Sequence, residues 1–153
     1  FGVVDYIGGK FSVKDFGAIT TDKDTPFPKR LCEIYEDYCQ ILDNWKPDAL
    51  SIERLYFTNN QKTGIDVAQA RGIIIMAAAQ RGIEINEYTP LQVKQAVVGY
   101  GQAVKKQVQE MTKNILKLSC VPKPDDTADA LAMTICHAQT SGSLLRNIKA
   151  SNI

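Results

Sequence analysis

Glu53, Asp126 and Asp129 are the residues of this 153-residue chain whose types and spacing point most directly to chemistry. Glu53 closes the run Asp-Ala-Leu-Ser-Ile-Glu (48–53), which reads as a short buried strand. A carboxylate in such a place is costly unless it is paired or bound to a cation. Asp126 and Asp129 lie three apart at the start of a helix, so they project from one face. The positive end of that helix favours negative charge there. Carboxylates with no His or Cys among them are what hard divalent cations such as Mg²⁺ prefer. Two such ions, about 4 Å apart, clamp the attacking and leaving oxygens of a phosphodiester undergoing hydrolysis. Each acid also has a plainer account. Asp126 and Asp129 alone fit capping and dipole compensation, and Glu53 alone fits a strand-end residue facing solvent.

Other residues would serve a polyanionic substrate. Lys105 and Lys106, with Lys113 and Lys117, form a strip on a helix, and Lys94 lies on the helix before it. Phosphate contacts there would supply affinity and strong salt dependence, whereas singly each is an ordinary surface lysine. Tyr56 and Phe57 follow Glu53 by three and four residues. Aromatics so placed either join a core or, in a loop beside an acidic site, stack on unpaired bases. His137 falls near the Asp129 face about two turns on and reads as structural.

Composition narrows the class. Hydrophobic residues at 44% and charged residues at 23% are ordinary for one globular domain with one core. The four cysteines (32, 39, 120, 136) contain no C-x-x-C pair, and His137 is the single histidine. Zinc is thereby disfavoured, and a reduced cytoplasmic protein is indicated. No apolar run reaches the roughly 18 residues of a membrane span, and no signal peptide is visible. With a net charge of +1, any affinity for nucleic acid must come from a local patch.

The elements that must position these groups follow from pattern. Gly8-Gly9 between two β-rich runs, Phe1–Ile7 and Lys10–Thr20, predicts a hairpin. Thr21–Pro28 reads as a loop. Leu31, Ile34, Tyr35, Tyr38, Leu42 and Trp45 recur at helical spacing. A second helix is predicted from about Thr63 to Gln80. Its Ile73–Ala79 stretch is apolar on every side, which points to burial by more than the core alone, as at an interface, although a plain core helix is the commoner account. Ile83–Tyr88 reads as a strand, and Thr89-Pro90-Leu91-Gln92 as a capping box with Pro at the first helical position. Val104, Val108, Met111, Ile115 and Leu118 mark another amphipathic helix. A last helix is predicted over Asp125–Gln139, followed by a loosely held polar tail over residues 141–153. The order is that of an α/β layer fold, an antiparallel hairpin plus parallel strands flanked by helices, with chemistry at the carboxyl ends of its strands.

The blocks DALSIERLYF, VAQARGIIIMAAA, EYTPLQVKQAVVGYGQAVKKQVQEM and PDDTADALAMTICHA resemble consecutive blocks of the RuvC family of Holliday-junction resolvases. The resemblance implies a ribonuclease-H-like fold over residues 1–140 and a homodimer. It implies symmetric paired nicking of four-way junction DNA with two Mg²⁺, or Mn²⁺, per site, in recombination and repair. The RuvA–RuvB branch-migration complex would be a partner. Carried over, Glu53, Asp126 and Asp129 match the family's catalytic, metal-binding acids. Lys94 and Lys105 match basic positions near scissile phosphates, and Lys106 neighbours them. Tyr56 matches the aromatic wedge, with Phe57 a physical equal. The fourth acid, in a Gly-Ile-Asp-Pro-Gly-like motif on a first strand, is absent. It is expected upstream of Phe1, and a protein truly starting at Phe1 is expected to hold at most one metal and cut poorly. A junction-binding module that does not cut, and a related nuclease acting on RNA or RNA–DNA hybrid, are the alternatives. A nucleotide-binding α/β protein ranks below both, for no G-x-G-x-x-G or Walker motif occurs.

Overall fold

Gly8 and Gly9 adopt φ of +58° and +78°, the left-handed backbone that a tight hairpin demands and that other residues resist. They join strand β1 (Gly2–Ile7) to β2 (Lys10–Phe16). The two pair antiparallel, with Val4 opposite Val13 and Tyr6 opposite Phe11. Along β2, Phe11 and Val13 turn inward while Ser12 and Lys14 stay exposed, the period-two signature of a half-buried strand. The second strand was expected to reach Thr20. It stops at Phe16, although Gly17 and Phe1 still exchange backbone bonds of 3.0 and 2.7 Å.

The computed structural model describes residues 1–55 and 61–150, those of 61–63 and 142–150 by backbone alone. The remaining elements are α1 (Phe27–Trp45), β3 (Ala49–Glu53), α2 (Gln61–Ala79), β4 (Glu84–Tyr88), α3 (Pro90–Val98), α4 (Lys105–Ile115) and α5 (Asp125–Ala150). The strands form two two-stranded sheets, the antiparallel hairpin and the parallel pair β3–β4 joined through α2. Among the described residues, no helix is long and apolar enough to cross a membrane.

One core was expected; the chain instead divides into two units with separate apolar clusters. One unit comprises residues 19–50 and 54–87. There Tyr38 and Leu42 of α1 pack with Ala77 and Ala78 of α2, and Ile74, Ile83 and Ile85 close around them. Pro28 belongs to the first turn of α1, not to the preceding loop, because its missing N–H costs nothing there. The all-apolar helix resolves into two faces. Ile74, Ala77 and Ala78 serve the core, whereas Ile65 and Met76, on the opposite side, remain 55% and 45% exposed. A charge at Ile74 would therefore disturb packing as well as any interface on the open side.

Burial of Tyr38 carries a pH consequence. Loss of water pushes its phenol from 10.0 up to about 12. A folded-state pKa raised in this way gives stability that is complete below pH 10 and lost as pH rises through about 12. A shift of that size corresponds to about 2–3 kcal/mol. Thermal melts between these pH values are expected to fall more steeply for the parent protein than for Tyr38→Phe. Parallel slopes would remove Tyr38 as the cause.

The other unit holds residues 1–18, 51–53 and 88–153. Its core is built on α5, with Leu131, Ala132 and Ile135 fully buried against Val93, Val97, Val108 and Leu116. A Cβ at Gly2 would lie 2.7 Å from Leu131 Cδ2, so glycine lets β1 approach α5 closely. The predicted capping box is present: the Thr89 hydroxyl accepts from Gln92 N at 3.1 Å, and the Gln92 side chain accepts from Thr89 N at 2.8 Å. Val104 was counted in the apolar stripe of α4 but is 60% exposed. It stands at the N-cap, where its N–H donates to Gln107 Oε1 at 3.0 Å. Met111, also assigned to the stripe, is 38% exposed. Helix α5 runs on to Ala150, past the tail boundary expected at residue 141. His137 is structural: its Nδ1 shares a 2.9 Å hydrogen bond with the hydroxyl of buried Tyr88.

Candidate active site

Three local features bring the acids to one unit. Strand β3 ends at Glu53. Helix α5 opens with Asp125 and Asp126 in its first turn, followed by Asp129. Thr127, almost wholly buried, donates to the carbonyl of Gly17 at 3.3 Å and ties that turn to the end of the hairpin. The first turn is thereby fixed while its carboxylates face outward.

Glu53 retains solvent access, yet its carboxyl is pushed above the usual range. Loss of water on its packed side is the larger cause and the charge of Asp129 the second. Two carboxylates close enough to oppose each other's ionisation form a place where a cation would be welcome. The cation present is Lys105. Its ammonium lies 3.2 Å from Asp129 and 3.7 Å from Asp125. The hydrogen bond to Asp129 raises the lysine pKa, and the Asp129 charge adds to this. Lys123 donates to Asp125 at 2.7 Å and holds that carboxyl below its ordinary value.

The three acids expected to converge are thus joined in part. Glu53 and Asp129 sense each other, and Asp126 contributes a weaker field at Lys105. Among the described residues, no three His, Cys, Asp or Glu side chains stand together as a ready metal cage. Lys105 supplies a physical reason, since its ammonium takes up Asp129. The donor set still fits a hard divalent ion: it offers oxygens only, and its charges repel when nothing lies between them.

Lys105 faces the acids as expected. Lys106, beside it, is exposed and lines an open groove of about 440 Å³ with Lys105, Gln109, Glu110, Val121, Lys123 and Asp125. Lys94 sits half-buried on α3, and no ion pair joins it to the acids among the described residues. Tyr56 and Phe57 lie outside the described residues. Asp125, Lys123 and Gln109 were not anticipated. Gln109 had a signal, because it falls four residues after Lys105 and so shares its helical face.

With the geometry in view, the relatives can be set beside it. The family Crossover junction endodeoxyribonuclease RuvC matches residues 1–137. A protein of Ruminiclostridium cellulolyticum bearing that name is 53% identical over 149 residues, spanning 96% of this chain and 90% of its own length. The namesake of Fusobacterium nucleatum is 45% identical over 153 residues, spanning 100% of this chain and 80% of its own. Among solved structures, T. thermophilus RuvC in complex with Holliday junction substrate superposes with a TM-score of 0.84 at 33% identity, over 90% of this chain and 84% of that one.

Proposed function

The chain belongs to the RuvC family of crossover junction endodeoxyribonucleases, and from that premise we propose that it resolves Holliday junctions by paired, metal-dependent nicks in opposed strands. The observation that carries this reading is the acid group on β3 and α5, oxygen-only and in electrostatic contact, with Lys105 beside it. Glu53, Asp126 and Asp129 would hold divalent ions, two Mg²⁺ in the intact site with Mn²⁺ as a substitute. When bound, such ions activate water and neutralise charge on the leaving 3′ oxygen. The acids orient those ions from the strand end and the first turns of α5. Lys105, released from Asp129, places its positive charge against the phosphate. Lys94 and Lys106 add phosphate contacts, and Tyr56 or Phe57 stacks on unpaired bases at the junction centre.

Paired nicks require two sites facing one junction, which a two-fold homodimer supplies. The exposed Ile65 and Met76, on one side of α2, support such a contact. The cytoplasm is the compartment that fits this task, and a branch-migration complex of the RuvA–RuvB kind is the fitting partner.

The test compares substrates. With Mg²⁺, a mobile four-way junction is expected to be nicked symmetrically, and a linear duplex or an RNA–DNA hybrid hardly at all. Preferred cleavage of the hybrid selects a ribonuclease. Tight junction binding without nicking selects a binding module.

A further inference from the structure

Two arginines face one carboxylate on β4. Glu87 accepts a 2.7 Å hydrogen bond at Oε1 from Nη2 of Arg71 on α2, and its Oε2 lies 3.6 Å from Nε of Arg54, the residue after β3. The two are held unequally. Arg71 is 19% exposed and within bonding distance, so it is the partner that satisfies the acid. The acidity of Glu87 follows the same order. Its carboxyl is held below the ordinary value first by the Arg71 hydrogen bond and charge, with Arg54 a smaller cause. Arg54 is 59% exposed and stands beyond hydrogen-bond reach of the acid. Two guanidinium charges thus meet one carboxylate, and the surplus belongs to Arg54.

The place of Arg54 gives that surplus a use. It follows Glu53 directly, their Cα atoms about 3.8 Å apart, so a strand bound at Glu53 runs within its reach. Glu87 is nearest to Nε, which leaves Nη1 and Nη2 outside the contact as a planar pair of donors. Such a fork matches two acceptors side by side. In DNA these are phosphate oxygens or the O6 and N7 atoms of guanine. The surroundings favour the base. A phosphate on the fork would bring its charge toward two carboxylates, Glu87 beside the same guanidinium and Glu53 one residue away, whereas the guanine edge is neutral.

We propose that Arg54 is a specificity-determining residue of the nicking reaction: its terminal nitrogens read O6 and N7 of a guanine within about two nucleotides of the cleaved bond, while Glu87, anchored by Arg71, steers the Nε side of the guanidinium. Arg54 touches no reacting atom, so it selects sites and does not cleave. The inference rests on the nuclease reading, which brings the strand to Glu53.

Arg54→Lys and Glu87→Gln test it, on four-way junctions that differ only in the bases flanking the cleavage point. The parent protein is expected to nick fastest where guanine stands at one fixed position, and about tenfold more slowly with adenine there. Replacement by 7-deazaguanine, which lacks the N7 acceptor, should cost part of that factor. Arg54→Lys keeps the charge but not the fork, and should lower the guanine-to-adenine rate ratio at least about fivefold. Glu87→Gln should lower it in part, and should lower it no further when added to Arg54→Lys. A folding defect slows every junction alike and leaves the ratio unmoved. The proposal is overturned by a parent with no guanine preference, or by an Arg54→Lys variant that keeps the parent's ratio. A loss shared by all sequences in Arg54→Ala, with a flattened salt slope, also overturns it and makes Arg54 a phosphate contact. A parent protein that nicks no junction overturns the nuclease reading, while the same comparison made on binding affinity still decides the base contact.

Discussion

Glu53→Gln is expected to lower the rate of junction nicking at least about a thousandfold while junction affinity stays within about threefold of the parent protein. The carboxylate at the end of β3 is an ion ligand in this reading, and an amide offers one neutral oxygen where two shared a negative charge. Affinity for the junction comes mainly from lysines and the strand path, which the change leaves alone. Stability gives a second, independent signature. The folded-state pKa of Glu53 is raised by lost hydration and by Asp129. Its contribution to stability is therefore present below the unfolded-state value and is lost as pH rises through the folded one. At neutral pH the ionised carboxylate opposes folding, weakly because the group is open to solvent. The metal-free Gln variant should melt no lower than its parent. Mg²⁺ should then raise the melting temperature of the parent, since it binds the native site, and raise that of the variant far less. Near-normal nicking by Glu53→Gln would remove it from the ion-binding set. A marked drop in metal-free stability would make it a structural residue.

Local chemistry was legible in the sequence wherever it is settled within a few residues. Gly8-Gly9 and the Thr89–Gln92 box are each decided by neighbours in the chain, and both stand where the pattern put them. Glu53 at a strand end and Asp126 and Asp129 on the first turns of a helix were legible for the same reason. The two apolar clusters were not. A helix apolar on all sides has no phase, so nothing in Ile73–Ala79 says which side meets α1 and which stays open. The division between Ile74 and Met76 is a tertiary fact. The grip of Lys105 on Asp129 was hidden in another way, because it joins separate helices. The resemblance marked Lys105 as a phosphate contact without indicating which acid it meets. Asp125 was passed over because the i, i+3 pair drew the attention; it lies four residues before Asp129, on the same helical face, and Lys105 reaches both.

Lys105→Met is expected to move two measurements in opposite directions. Its ammonium lies 3.2 Å from Asp129, and that partner holds its proton more firmly than usual. At any working pH it is a charged competitor for the carboxylate that a divalent ion needs. An exposed ion pair of this kind is weak, because solvent screens it. Removing it should therefore lower the Mg²⁺ or Mn²⁺ concentration for half-maximal nicking about two- to fivefold. The same ammonium also lies 3.7 Å from Asp125, at the edge of the lysine-lined groove. There it neutralises charge that grows as the phosphodiester is attacked, a role whose loss costs about a hundredfold or more in comparable sites. Nicking at saturating metal should fall to that extent, and the salt slope of junction binding should flatten by about 0.7–0.9. Lys105→Arg keeps the charge and should restore most of the slope. Its planar head, unlike the compact ammonium, should recover the rate only in part. If metal demand rises together with the loss of rate, Lys105 arranges the acids for the ion and does not compete with it. The ion pair with Asp129 would then be part of the ion-binding framework, with Asp125 holding the lysine in place.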